Sequence, residues 1–200
     1  MTTPTRERNL RGQGPRLREE IIQAALALID ETNDASTLTL RGIARAAGIS
    51  APSIYAHFAD LPAVIDAVLQ QSFQALAELV SGAMSTQEDP VAALKAGCWA
   101  YVRFGWEHKG RYRLMFAATG YAPNAMESFI HLEKAIERCV RSGTSTSGDA
   151  HADAYLVWVA VHGMATLEKP ARADYRRFGT LDRPAMLATL IERLARLKSV

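Results

Sequence analysis

Apolar residues recur at three- and four-residue steps along most of the chain, and polar breaks divide the pattern into segments. Leu17, Ile21, Ala24, Ala25, Leu28 and Ile29 line one side of a predicted helix from Pro15 to Glu31, followed by a polar turn from Thr32 to Ser36. Leu40, Ile43, Ala44 and Ala47 predict a second helix over Leu40–Ala47, with Thr39 as its N-cap and Gly48 as its C′ residue. Ser50 is placed to cap a third, Ala51–Phe58, with Pro52 in its first turn and Ile54 and Phe58 facing inward. Asp60 caps a long fourth helix, Leu61–Gly82, whose buried side carries Val64, Ile65, Val68, Leu69, Phe73, Leu76 and Val80.

The same spacing continues behind the polar break at Ser85–Asp89. Helices are expected over Pro90–His108, Arg111–Ala117 after an interruption at Gly110, Asn124-capped to about Ser142, His151–Glu168, and Asp182-capped over Arg183–Leu197. Gly120–Pro123, Thr144–Gly148 and Lys169–Gly179 read as connections. Nine helices emerge with no strand alternation and no repeat, so the fold class is all-α. It divides into an N-terminal arm and three-helix helix-turn-helix domain (1–60) and a C-terminal helical bundle (61–200).

The spacing within Thr39–Asp60 has a mechanical reading. Ala44 is small enough for two helices to cross there, Gly48 takes the positive φ of the turn, and Ile54 holds the next helix against the last. A helix-turn-helix of this layout puts its second helix in the DNA major groove. The exposed face would consist of small residues that allow close approach to base edges, with polar-tipped residues reaching phosphates. The candidate DNA contacts are Thr39, Arg41, Ser50, Ala51, Pro52, Ser53, Tyr55, Ala56 and His57.

Composition adds less. The net charge of +2 does not by itself argue for nucleic acid, but Arg6, Arg8, Arg11, Arg16 and Arg18 form a basic arm that can lie along phosphates or remain a solvated tail. Cys98 and Cys139 sit in apolar helical patterns and fit a reducing cytoplasm; their separation is wrong for a zinc site. The Arg-rich start lacks the apolar core of a signal peptide, and no apolar run approaches the ~20 residues of a membrane span. The expected location is cytoplasmic, with no membrane association.

Tyr101, Phe104, Trp106, Met115, Phe116, Tyr121, Phe129, Trp158 and His162 are candidates to line a cavity for a small hydrophobic or aromatic effector, although plain core packing is the first reading for any single one. No ordered nucleophile, base and orienter, no metal-spaced His pair and no phosphate-binding glycine loop is present, so neither catalysis, a metal nor a cofactor is expected.

The stretch from Ile21 to Val68 resembles the DNA-binding domain of the TetR family of transcriptional repressors. The residues that carry the likeness are Ala24-Ala25 with Leu28, Thr39-Leu40 with Ile43-Ala44, Gly48-Ile49-Ser50, Ser53-Ile54-Tyr55, His57-Phe58 and Asp60. Trp158, His162 and Gly163, preceded by Arg111–Phe116, are similar to the Trp…His-Gly (WHG-like) signature of one C-terminal subtype. The resemblance implies a homodimer on pseudo-palindromic double-stranded DNA, released by a small effector that binds the C-terminal helices. One departure stands out: the family commonly carries a phosphate-contacting lysine right after the cap of the fourth helix, where this chain has Leu61. The alternative from another class is a helical ligand-binding or scaffold protein that has lost DNA binding, a reading that Leu61 and the weak net charge favour.

Overall fold

The computed structural model describes residues 14–117, 125–167 and 182–198. Among them are nine α-helices: α1 (Gly14–Thr32), α2 (Leu40–Ala46), α3 (Ala51–Ile54), α4 (Leu61–Ser85), α5 (Pro90–Glu107), α6 (Lys109–Ala117), α7 (Ala125–Arg141), α8 (Ala150–Thr166) and α9 (Arg183–Leu194). The only extended pairing among the described residues is a single bridge between Ser145 and Leu197. The basic arm before residue 14, the loop containing Tyr121, the Asn124 cap and the Lys169–Gly179 connection lie outside the described residues.

Most helix starts are set by a carboxylate or hydroxyl accepting a backbone N–H. Asp60 accepts from Ala63, Asp89 from Ala92, and Asp149 from Ala152 at 2.9, 2.7 and 3.0 Å. Ser50 departs from the expected pattern. Its backbone is extended as a cap requires, but its hydroxyl bonds Ser53 Oγ at 2.7 Å and makes no cap bond to the helix backbone. The polar turn after α1 contains a short 3₁₀ helix, Ala35–Thr37, started by Asp34.

Two compact units follow from the contacts. The first comprises 1–72 with 108–118, the second 73–107 with 119–200. The first is built on a core of Ile21, Ile22, Leu26, Ile29, Ile43, Ala44, Ile54, Phe58, Val64 and Val68, all buried. The α6 segment belongs to this unit, and Gly110 is the reason it packs so closely. Expected as a break between helices, Gly110 instead lies within α6, where a Cβ would stand 2.8 Å from the Ile29 carbonyl oxygen and from the Asn33 carbonyl carbon. Beside that contact Asp30 accepts from Arg111 Nε at 2.7 Å, bonds a second nitrogen of the same guanidinium, and lies 3.1 Å from His108 Nδ1.

In the second unit α8 packs on α5 and α7, and α9 on α8. Leu94, Cys98, Val102, Ile136, Val157, Val161 and Ile191 are buried there. Trp106 Nε1 donates to the Met164 carbonyl at 3.0 Å, and the Arg183 guanidinium stands 4.7 Å over its ring. The chain after α9 folds back on the α7–α8 loop: Ser145 Oγ donates to the Ala195 carbonyl at 2.7 Å, and the buried Asp153 carboxylate pairs with Arg196 at 3.2 Å.

Candidate nucleic-acid interface

The turn between α2 and α3 is closed by backbone bonds alone. Ile49 N–H donates to the Ala44 carbonyl at 2.9 Å and Gly48 N–H to Arg45 at 3.1 Å, with Gly48 at φ 65°. This paired closure needs a left-handed residue at C′, which glycine supplies without steric cost. At the other end of α2, Thr39 Oγ1 accepts from Gly42 N–H at 3.0 Å. That hydroxyl keeps its own proton for an outside acceptor.

The third helix is shorter than its spacing suggests. It ends at Ile54, and residues 55–57 continue as a tightened turn in which His57 and Phe58 N–H both donate to the Ile54 carbonyl, at 2.8 and 2.9 Å. Ile54 and Phe58 are pinned in the core, so the turn must tighten before Asp60 starts α4. What this leaves outside is specific. Tyr55 is 61% exposed, an unusual position for a large ring.

Thr39, Arg41, Ser50, Pro52, Tyr55 and Ala56 are exposed, while Ala51, Ser53 and His57 are half-buried. Arg45, one turn beyond Arg41 on α2, is also exposed, and nothing about its spacing on the chain distinguished it from a solvated arginine. Together these residues offer hydroxyl donors, two guanidinium groups and an amphipathic ring on one compact frame, the inventory used for phosphate and groove contacts.

The second unit holds a small cavity of about 30 Å³, lined by Val80, Met84, Leu94, Gly97, Cys98, Tyr101, Leu132, Trp158 and Val161. Among the described residues no charged side chain lines it, and burial pushes the Cys98 thiol up to about 12. Of the expected pocket residues, Tyr101 and Trp158 are on its wall. Phe104 is buried in α5 away from it, and Met115 and Phe116 belong to the first unit. Phe129 instead meets the rings of His151 and Tyr155 at 5.3 and 6.5 Å, and His162 stands 5.8 Å from Trp158, its imidazole shifted to lower pKa by burial. Met84, Gly97 and Cys98 were not foreseen as lining residues: Gly97 and Cys98 read as ordinary helix positions, and Met84 falls beyond Gly82, where the fourth helix was expected to end, whereas α4 runs on to Ser85.

Along α8, Tyr155, Leu156 and Val159 are about half exposed, and Leu167 just beyond it is 64% exposed. Gly163 falls in the same region, and a Cβ there would meet nothing within 4 Å. Among the described residues, nothing packs closely against this glycine. Among the described residues no helix is long and apolar enough to cross a membrane, and no group of three His, Cys, Asp or Glu is placed to hold a metal.

Comparison with known proteins agrees with this geometry. Residues 21–68 match the family described as bacterial regulatory proteins, tetR family, and residues 94–194 match the tetracyclin repressor-like C-terminal domain. The chain is 22% identical over 170 residues to the nucleoid occlusion factor SlmA of Vibrio campbellii, a match that spans 80% of this chain and 86% of that protein. A solved protein of unknown function from Rhodococcus sp. RHA1 is similar with a TM-score of 0.72 at 25% identity, covering 92% of this chain and 96% of its own. The TetR family transcriptional regulator PfmR from Thermus thermophilus shares the fold with a TM-score of 0.65 at 17% identity, covering 90% and 99%. With both halves matched and the helix-turn-helix formed as its spacing requires, the chain belongs to the TetR family of DNA-binding transcriptional regulators.

Proposed function

We propose that this regulator is a cytoplasmic homodimeric repressor that holds a pseudo-palindromic operator and leaves it when a small apolar effector enters its C-terminal unit. The observation that carries the DNA-contacting part is Tyr55, largely exposed between the two core residues Ile54 and Phe58. Thr39, Arg41, Ser50, Ala51, Pro52, Ser53, Ala56 and His57 surround it as the remaining contacts, one recognition segment per subunit in successive major grooves. The exposed apolar side of α8 is the face offered to the second copy.

The cavity between α4, α5, α7 and α8 is the effector site in this reading. At about 30 Å³ it has room for little more than one water, so a ligand enters only by displacing side chains. Met84 is the unbranched, flexible one among them. An effector moves the operator equilibrium only by its differential affinity for the two dimer geometries.

The test is a fluorescence-anisotropy titration of a labelled duplex from the chain's own upstream intergenic DNA. Binding on the order of micromolar or tighter, weakening steeply with salt, is expected. Tyr55→Ala should weaken it without lowering the melting temperature. Absent or salt-insensitive binding at modest salt would instead favour a helical ligand-binding protein that has given up DNA, the alternative to which Leu61 points.

A further inference from the structure

The geometry points to Arg18 as a phosphate-anchoring residue at the end of the recognition segment. The inference rests on the DNA-binding reading above. Leu17 and Leu61 pack against the same buried cluster as Phe58, so the start of α1 lies beside the end of the recognition segment and the start of α4. The Arg18 guanidinium stands 5.0 Å over the Phe58 ring, which orients it at low entropic cost.

Its neighbours leave its charge unspent. Arg16 is paired with Glu20 at 3.1 Å. Glu19, the nearest acid in sequence, is taken by Gln23 at 2.9 Å and Gln71 at 2.6 Å, bonds that hold its carboxyl below the usual range and leave Arg18 as only a minor influence on it. Among the described residues Arg18 itself forms no ion pair. Asp60, the other acid at this corner, has one oxygen committed to the Ala63 N–H. An exposed guanidinium, oriented by a core ring, next to the recognition segment and paired with no carboxylate, is a ready partner for a phosphate oxygen.

The experiment is the anisotropy titration repeated over a salt series, with wild type, Arg18→Met and Arg18→Lys on both the upstream duplex and a scrambled one. Arg18→Met keeps an unbranched stem over Phe58 and removes the charge. It should lower the slope of log affinity against log salt by about one unit per bound subunit, equally on both duplexes, while Arg18→Lys keeps the slope. Each such contact amounts to about a three- to fourfold difference in affinity between roughly 50 and roughly 200 mM salt. Should Arg18→Met fail to fold, Arg18→Gln carries the same readout. A purely structural Arg18 would lower the melting temperature and leave the slope unchanged. That result, or a slope loss that Arg18→Lys shares, overturns the assignment. A wild type that binds neither duplex sinks the DNA-binding reading beneath it instead.

Discussion

Replacing glycine by alanine at three helical positions asks one methyl group to fit three different surroundings. Gly82 in α4 has nothing within 4 Å of its built Cβ. There the substitution removes backbone freedom from the unfolded chain and stabilises the helix by about 1 kcal/mol. Gly97 in α5 would place its Cβ 2.6 Å from Met84 Cγ and 2.8 Å from its sulfur. Both are atoms of a flexible thioether that can swing away, so the helix gain of about 1 kcal/mol is largely offset and the net change is small. Gly110 would place its Cβ 2.8 Å from the Ile29 carbonyl oxygen and the Asn33 carbonyl carbon. These are backbone atoms, so α6 must move off α1, at a cost of about 1–3 kcal/mol or more. For a chain of this length that corresponds to a fall of about 2–4 °C per kcal/mol. Circular-dichroism melting of the three variants in parallel should rank them Gly82→Ala above Gly97→Ala above Gly110→Ala. A Gly110→Ala protein that melts at or above wild type would refute the close packing of α6 on α1. The Gly82 variant guards against a general effect of alanine.

Three shorter predictions concern the second unit. Val159→Asp on the exposed face of α8 should convert a dimer to a species of 21.9 kDa in size-exclusion light scattering; an unchanged dimer mass would move the interface elsewhere. Cys98, its thiol pushed up to about 12, is thiolate in only about one part in 10⁴ at pH 8, so iodoacetamide should leave it unmodified until the protein is denatured, and rapid labelling of the native Cys98 peptide would count against its burial. Burial lowers the His162 pKa, so the folded state takes up a proton there less readily than the unfolded chain; stability is lost as pH falls through about 6.5, and His162→Gln should show a smaller drop in melting temperature than wild type between about pH 7.5 and about pH 5.5.

Much of the first unit is written locally. The Thr39 cap, the Gly48 turn and the Asp60 cap each close through bonds between residues three to five apart, so their chemistry is visible in any short window of the chain. The core positions Ile43, Ala44 and Ile54 follow from the same short spacing. The end of α3 was less legible. The Ile54–Phe58 spacing suits a full helical turn, and only the need to begin α4 right afterwards tightens residues 55–57.

What the tertiary structure decided lies at longer range. Arg111 and Asp30 are 81 residues apart, and neither side of that bond marks the other in the sequence. Gly110 reads as a helix break because glycine usually is one; its role as the contact between α6 and α1 exists only once α1 is beside it. The cavity wall draws residues from α4, α5, α7 and α8, four distant stretches of the chain. In each of those helices a wall residue has the same apolar periodicity as a core residue. Periodicity records which side of a helix avoids water, and so it determined the helices, their buried faces and the recognition motif. Which buried faces meet, and where they leave room, depends on packing between segments distant in the chain, and only the folded arrangement of α4, α5, α7 and α8 decided it.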